Sequence, residues 1–170
     1  KITEDHIKQF ETANVPVVLA ATQDETETLP SINIDYRQAA YEATNYLLDS
    51  IKEQPAFVKG DDYVQSNGLK LEGYREALRD AGIDIDESLI VEEETTYNGG
   101  ITAVNKLLEK GIKPKGIFVA TDEMAVGVIH SLQDGGLRVP EDVEVFGFNN
   151  TRVSLMVRPT LTTVVQPMYD

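Results

Sequence analysis

Polar side chains follow apolar runs again and again in this sequence. Tyr36, Arg37 and Gln38 follow one run, and Asp61, Asp62 and Tyr63 another. Thr95, Thr96, Tyr97 and Asn98 come next, then Thr121 and Asp122, then Asn149, Asn150 and Thr151, and last Gln166. Between them these amides, hydroxyls and carboxylates donate and accept hydrogen bonds. Gathered on one edge, they would hold a polar, neutral ligand such as a sugar. The same residue types also build turns, because Asn and Asp tolerate unusual dihedrals at strand ends. For any single residue both roles stay open.

Covalent and metal chemistry find little support. His6 lies near the start of the chain, and His130 falls inside a predicted helix but off its apolar stripe, where a solvated or capping role is expected. No nucleophile elbow, phosphate loop or GxGxxG turn is present, and Gly99-Gly100 lacks a third glycine. Asp84, Asp86 and Glu87 crowd a loop without the glycine and closing Glu of a calcium loop. Cys is absent, which removes disulfides and thiolate metal sites and is compatible with a reducing compartment. No catalytic residue, no metal ligand and no cofactor is expected, so the sequence reads as a binding protein rather than an enzyme.

The bulk numbers narrow the partners. With 170 residues and 41% hydrophobic side chains, one well-buried core is expected. A formal charge of −14 argues against this segment gripping a phosphate backbone, which takes clustered Lys and Arg. No apolar run reaches the roughly 20 residues that span a bilayer, and no basic-then-apolar signal opens the chain. The chain starts at Lys1 inside a predicted helix and stops at Asp170 just after an apolar run, so a piece of a longer protein is expected.

The polar clusters need elements to position them. Strands are predicted at Val15 to Ala21, Ser31 to Asp35, Ala56 to Gly60, Leu89 to Glu93, Gly116 to Thr121, Val143 to Phe148 and Leu161 to Val165. Between them lie helices with apolar stripes: Ala40-Ala43-Leu47-Ile51, Leu71-Tyr74-Leu78-Ala81, Ile101-Val104-Leu108 and Ala125-Val128-Ile129-Leu132. Asp35 and Thr121 stand where helices begin, and Gly111 where one ends. Such alternation predicts an α/β fold, a doubly wound Rossmann-like parallel sheet with helices on both faces. Each polar cluster then falls beyond the carboxyl end of a strand, where open parallel sheets bind ligands. The polar stretch from Ala21 to Ser31 marks a seam. Residues 1–30 are therefore expected to end one lobe and residues 31–165 to form another.

The stretch "VSLMVRPTL" is too apolar for an ordinary loop. It either packs within its own chain or meets a second copy, and an interface is the sharper expectation.

One set of motifs resembles a known family. A strand ending in Thr121-Asp122, then Met124-Ala125 and Gly127, then Gly136, Val139-Pro140 and Asp142, then Gly147-Phe148-Asn149 is similar to the regulatory core of LacI/GalR transcription regulators. "LEGYREAL" and "RPTLTTVVQP" fit the same pattern. The resemblance implies a periplasmic-binding-protein-like (type I) core of two lobes with an effector cleft between them. Residues 166–170 would then be a crossover back to the first lobe. It also implies a separate headpiece that binds operator DNA, since this segment does not.

By position, the resemblance puts Gln38, Lys70, Thr95, Thr121, Asp122, Asn149 and Gln166 in the cleft. It departs from the family where Lys70 replaces a clamping Arg, Thr95 an aromatic plate and Asn149 the usual Asp. These changes look like a weak effector site. They match a branch of the family governed by a protein partner, seryl-phosphorylated HPr. In that branch a sugar phosphate, such as glucose 6-phosphate or fructose 1,6-bisphosphate, helps. Met168, Tyr169 and Asp170 would meet HPr, unless Tyr169 packs on the other lobe instead. Met124, Val126, Met156 and Val157 would line a homodimer interface. A cytoplasmic protein is implied. The rival is a transporter's sugar-binding subunit with the same fold, which calls for a signal peptide and a tight, aromatic-lined sugar site.

Overall fold

The computed structural model describes residues 3–21 and 28–166. Five parallel strands form the main sheet in the order β4-β3-β5-β6-β7. They are β3 (Ala56–Lys59), β4 (Ile90–Glu92), β5 (Gly116–Val119), β6 (Glu144–Asn149) and β7 (Thr162–Val165). Side chains alternate across this sheet. Phe57, Phe118, Phe146 and Phe148 join a core built with α2 (Tyr36–Ile51) and α3 (Gln65–Asp80). Ala56, Val58, Ile117, Val119 and Val145 join a second core with α4 (Tyr97–Glu109) and α5 (Asp122–Asp134). Two covered faces explain why the strands read as unbroken apolar runs.

The cores are aromatic on one side and aliphatic on the other. Phe57 stacks between Tyr74 and Phe118, with ring centroids 5.1 and 5.0 Å away. Each buried Phe contributes on the order of 2–3 kcal/mol of apolar transfer. Tyr74 keeps its hydroxyl satisfied by donating to the Pro55 carbonyl at 2.7 Å and accepting from Gln54 Nε2 at 2.8 Å.

Helix ends obey local chemistry. Asp35 Oδ1 accepts from the Gln38 amide at 2.9 Å, Thr96 Oγ1 from Gly99 at 3.1 Å and Thr121 Oγ1 from Met124 at 3.3 Å. Gly111 closes α4 at φ +74°, with the Ile112 amide returning to the Leu107 carbonyl. Gly136 ends α5 in the same way.

The first strands differ from expectation. Among the described residues of this region, only Leu19–Ala20 (β1) and Ser31–Ile32 (β2) are paired, as a separate parallel ribbon after α1 (Glu4–Thr12). Val15, Val18 and Ile32 are exposed. Because β2 pairs with β1, the expected division at residue 30 runs through this ribbon.

Candidate functional site

The chain leaves β3 towards β4 on one side and β5 towards β6 on the other. Strand order therefore reverses between β3 and β5, and a crevice opens beyond their carboxyl ends. Lys59 and Gly60 arrive there from β3, Ala120 and Thr121 from β5, Phe148 and Asn149 from β6, and Gln166 after β7.

Lys70 reaches this point from α3 and is only 3% exposed. Its Nζ donates to the Ala120 carbonyl at 2.9 Å. It lies 4.1 Å from the centroid of the Phe148 ring and 5.5 Å from that of Tyr36. Desolvation lowers its pKa to about 8, against the pull of the nearby Asp122 charge. Burial raises the Tyr36 phenol, opposed by the neighbouring Gln166 side chain. Lys70, Phe148, Tyr36 and Gln166 thus form one connected floor. Beside it, sharing Tyr36, opens a cavity of about 330 Å³ that Asn33, Tyr63, Ser66 and Leu69 also line. That size suits a small polar molecule.

The expected cleft residues divide. Gln166 and Lys70 come together through Tyr36, but Lys70 forms the floor and presents no free charge. Asp122 corrects the expectation more sharply. It is 0% exposed, and both its oxygens are engaged by Thr151 and Thr163, so it cannot meet a ligand. Thr121 is half-buried and spends its hydroxyl on the cap of α5. Gln38 is exposed and turns along α2 to Glu42. Thr95 stands at the lip, its hydroxyl against Gly60, where a Cβ would come within 2.3 Å.

Asn149 and Asn150 take positive φ, at 108° and 55°, so they serve as turn residues. The side chain of Asn150 accepts from Ser154, whereas that of Asn149 has no hydrogen-bond partner among the described residues. Asn149 is thus free to face the crevice.

Nothing in the sequence singled out Lys59. It is buried between Asp62 and Glu92, the latter at 2.5 Å. The signal was a lysine ending an apolar strand, with carboxylates one turn on and on the neighbouring strand. His130, exposed, meets the Tyr97 hydroxyl at 2.9 Å.

The interface residues also divide. Met124 is 0% exposed and Val157 5%, both inside the α4–α5 core, so neither lies on a free face. Helical spacing turns Met124 inward from α5, and Val157 follows the short turn α6 (Val153–Met156) back to the core. Val126 is half-buried against that core. Leu155 and Met156 stand out at 69% and 75% exposure. Met168, Tyr169 and Asp170 lie outside the described residues.

Fold and crevice define a class. Residues 55–170 match the periplasmic binding protein-like domain, and the chain belongs to that family. It is 52% identical over 170 residues to catabolite control protein A of Priestia megaterium, covering 99% of this chain and 51% of the relative. It is 37% identical to that of Staphylococcus xylosus, again over 99% of this chain and 51% of the relative. The chain spans about half the length of the curated relatives it matches. Among solved structures, the transcription regulator CcpA of Lactococcus lactis superposes with a TM-score of 0.88 at 36% identity, covering 100% of this chain and 63% of that one. The transcriptional regulator CelR–cellobiose complex superposes at 0.86 and 30% identity, covering 96% and 51%.

Proposed function

We propose that this chain is the effector-sensing part of a transcription regulator of the catabolite control protein A type, acting in the cytoplasm in carbon catabolite regulation. The carrying observation is the 52% identity across 99% of the chain to such a protein. The crevice supports it. Lys70 is spent on the Ala120 carbonyl and two rings and Lys59 on two carboxylates, so a small effector meets mostly neutral polar groups and binds weakly. Seryl-phosphorylated HPr is the main activator, and glucose 6-phosphate or fructose 1,6-bisphosphate assists from the crevice. A second copy packs on Leu155 and Met156. Operator DNA is held by a headpiece outside this chain, whose own charge is −14. Binding of HPr biases the angle between lobes, and the dimer passes that bias on. The transporter reading is not favoured, since the relatives named are regulators.

Calorimetry of the full-length protein with seryl-phosphorylated HPr, with and without a sugar phosphate, tests the proposal. Heat with the carrier, modestly strengthened by the sugar phosphate, is expected. Micromolar binding of a free sugar without any response to HPr would overturn it.

A further inference from the structure

Asp122 is a fully buried carboxylate that the crevice does not use. Its Oδ2 accepts from the Thr151 amide at 2.5 Å and the Thr151 hydroxyl at 3.0 Å. Its Oδ1 accepts from the Thr163 hydroxyl at 2.5 Å. A Cβ at Gly147 would lie 2.6 Å from Oδ1, so the strand leaves room for this carboxylate by carrying none. One side chain therefore ties the start of α5 to β7 and to the loop after β6.

That loop launches α6. Ser154 donates to the Thr151 carbonyl at 2.8 Å and to Asn150 Oδ1 at 3.3 Å, and the Leu161 amide returns to the Ser154 carbonyl at 2.9 Å. The turn has four residues, too few to hold itself. Asn149 and Asn150 enter it in left-handed conformations, which cost energy and persist only when surrounding contacts enforce them. Asn150 is tied to Asp122 through Thr163, whose hydroxyl accepts from the Asn150 amide at 3.4 Å and donates to Asp122. At the outer end, Leu155 and Met156 project into solvent.

We infer that Asp122 is the positioning residue for the Leu155–Met156 turn, holding it in the one placement that presents both side chains to a second copy. The part concerning a second copy rests on the pairing proposed above. Asn at this position keeps the shape and an acceptor for Thr151, and its amide can donate to the Thr163 oxygen. Ala keeps neither.

Amide hydrogen exchange and sedimentation equilibrium on the full chain test this, with Asp122→Ala, Asp122→Asn and, separately, the pair Leu155→Ser and Met156→Ser. In Asp122→Ala, exchange at Thr151, Ser154 and Leu161 is expected to rise about tenfold or more, with amides of α3 unchanged. Self-association is expected to weaken about tenfold, and Asp122→Asn to restore most of both. Should Asp122→Ala prove unfolded, Thr163→Val removes one arm and is expected to give the same local pattern at smaller size. Unchanged exchange in the turn overturns the inference, as does exchange that rises equally in α3. Faster exchange with unaltered self-association, while the Ser pair abolishes association, overturns the link to pairing. If the Ser pair associates like the parent, the pairing proposal fails, and local exchange alone then decides the positioning role.

Discussion

Lys70 Nζ stands 4.1 Å over the Phe148 ring, a buried ammonium held by one carbonyl and two aromatic faces. The arrangement turns a cleft lysine into part of the crevice floor, and its energetics follow from the missing water.

Stability should depend on the ionisation of this lysine. With its folded pKa lowered to about 8 from 10.5, the unfolded chain binds one more proton between those values. Stability therefore rises with pH across that window, and the burial cost is present in full below about pH 8. The shift corresponds to roughly 3 kcal/mol. Lys70→Met is expected to be the more stable protein at pH 7. Its advantage should shrink steadily between pH 8 and 9.5 in urea titrations. A constant difference across that range would count against a charged, desolvated Lys70.

Close helix crossings set a second expectation. A Cβ on Gly73 would lie 2.0 Å from the Arg37 carbonyl, on Gly100 2.0 Å from that of Met124 and on Gly127 2.0 Å from that of Tyr97. Alanine favours helix by about 1 kcal/mol over glycine, but a clash with backbone outweighs that. Each Gly→Ala change should cost about 2–4 kcal/mol by chemical denaturation. Gly68→Ala, also helical but with nothing within 4 Å, should stabilise by about 0.5–1 kcal/mol. If all four behave alike, the close approach is not what governs these sites.

Asp142 provides a titration test. Arg138 donates to it through Nε, an outer nitrogen and its amide, which lowers its pKa to about 2. Because the folded value is depressed, the stabilisation is present above the unfolded pKa and lost as pH falls through about 2. Carboxyl carbon NMR should show Asp142 titrating near about 2, below the ordinary aspartate range. In Arg138→Gln its pKa should return towards the ordinary range.

The crevice can be probed by hydroxyl and amide removal. Ser66→Ala and Gln166→Ala each delete one polar group from the cavity or its floor. A lost neutral hydrogen bond costs about 0.5–1.5 kcal/mol, so under the proposed function sugar-phosphate affinity should fall about 2- to 10-fold in calorimetry. Under the same proposal, binding of seryl-phosphorylated HPr without sugar should stay unchanged. Equal losses for both ligands would place the effector elsewhere.

Much was written in local chemistry. Asp35 and Thr121 cap helices because a side-chain oxygen two or three residues ahead of an unpaired amide needs no distant partner. Apolar stripes placed Ala40, Leu47, Tyr74, Val128 and Leu132 in the core, and the repeating strand–helix order implied a parallel sheet covered on both sides.

Tertiary structure alone decided how the polar residues are used. Asp122 and Asn149 look alike in sequence, each polar at a strand end. One is sealed between threonines contributed by β7 and the loop after β6, and the other has a side-chain amide without a partner among the described residues. Likewise Val157 is drawn into the core while Met156, its neighbour, faces water. Sequence determines which groups seek burial or hydrogen bonds. Which partners are within reach depends on segments tens of residues apart, and only their packing brings those partners to the same place.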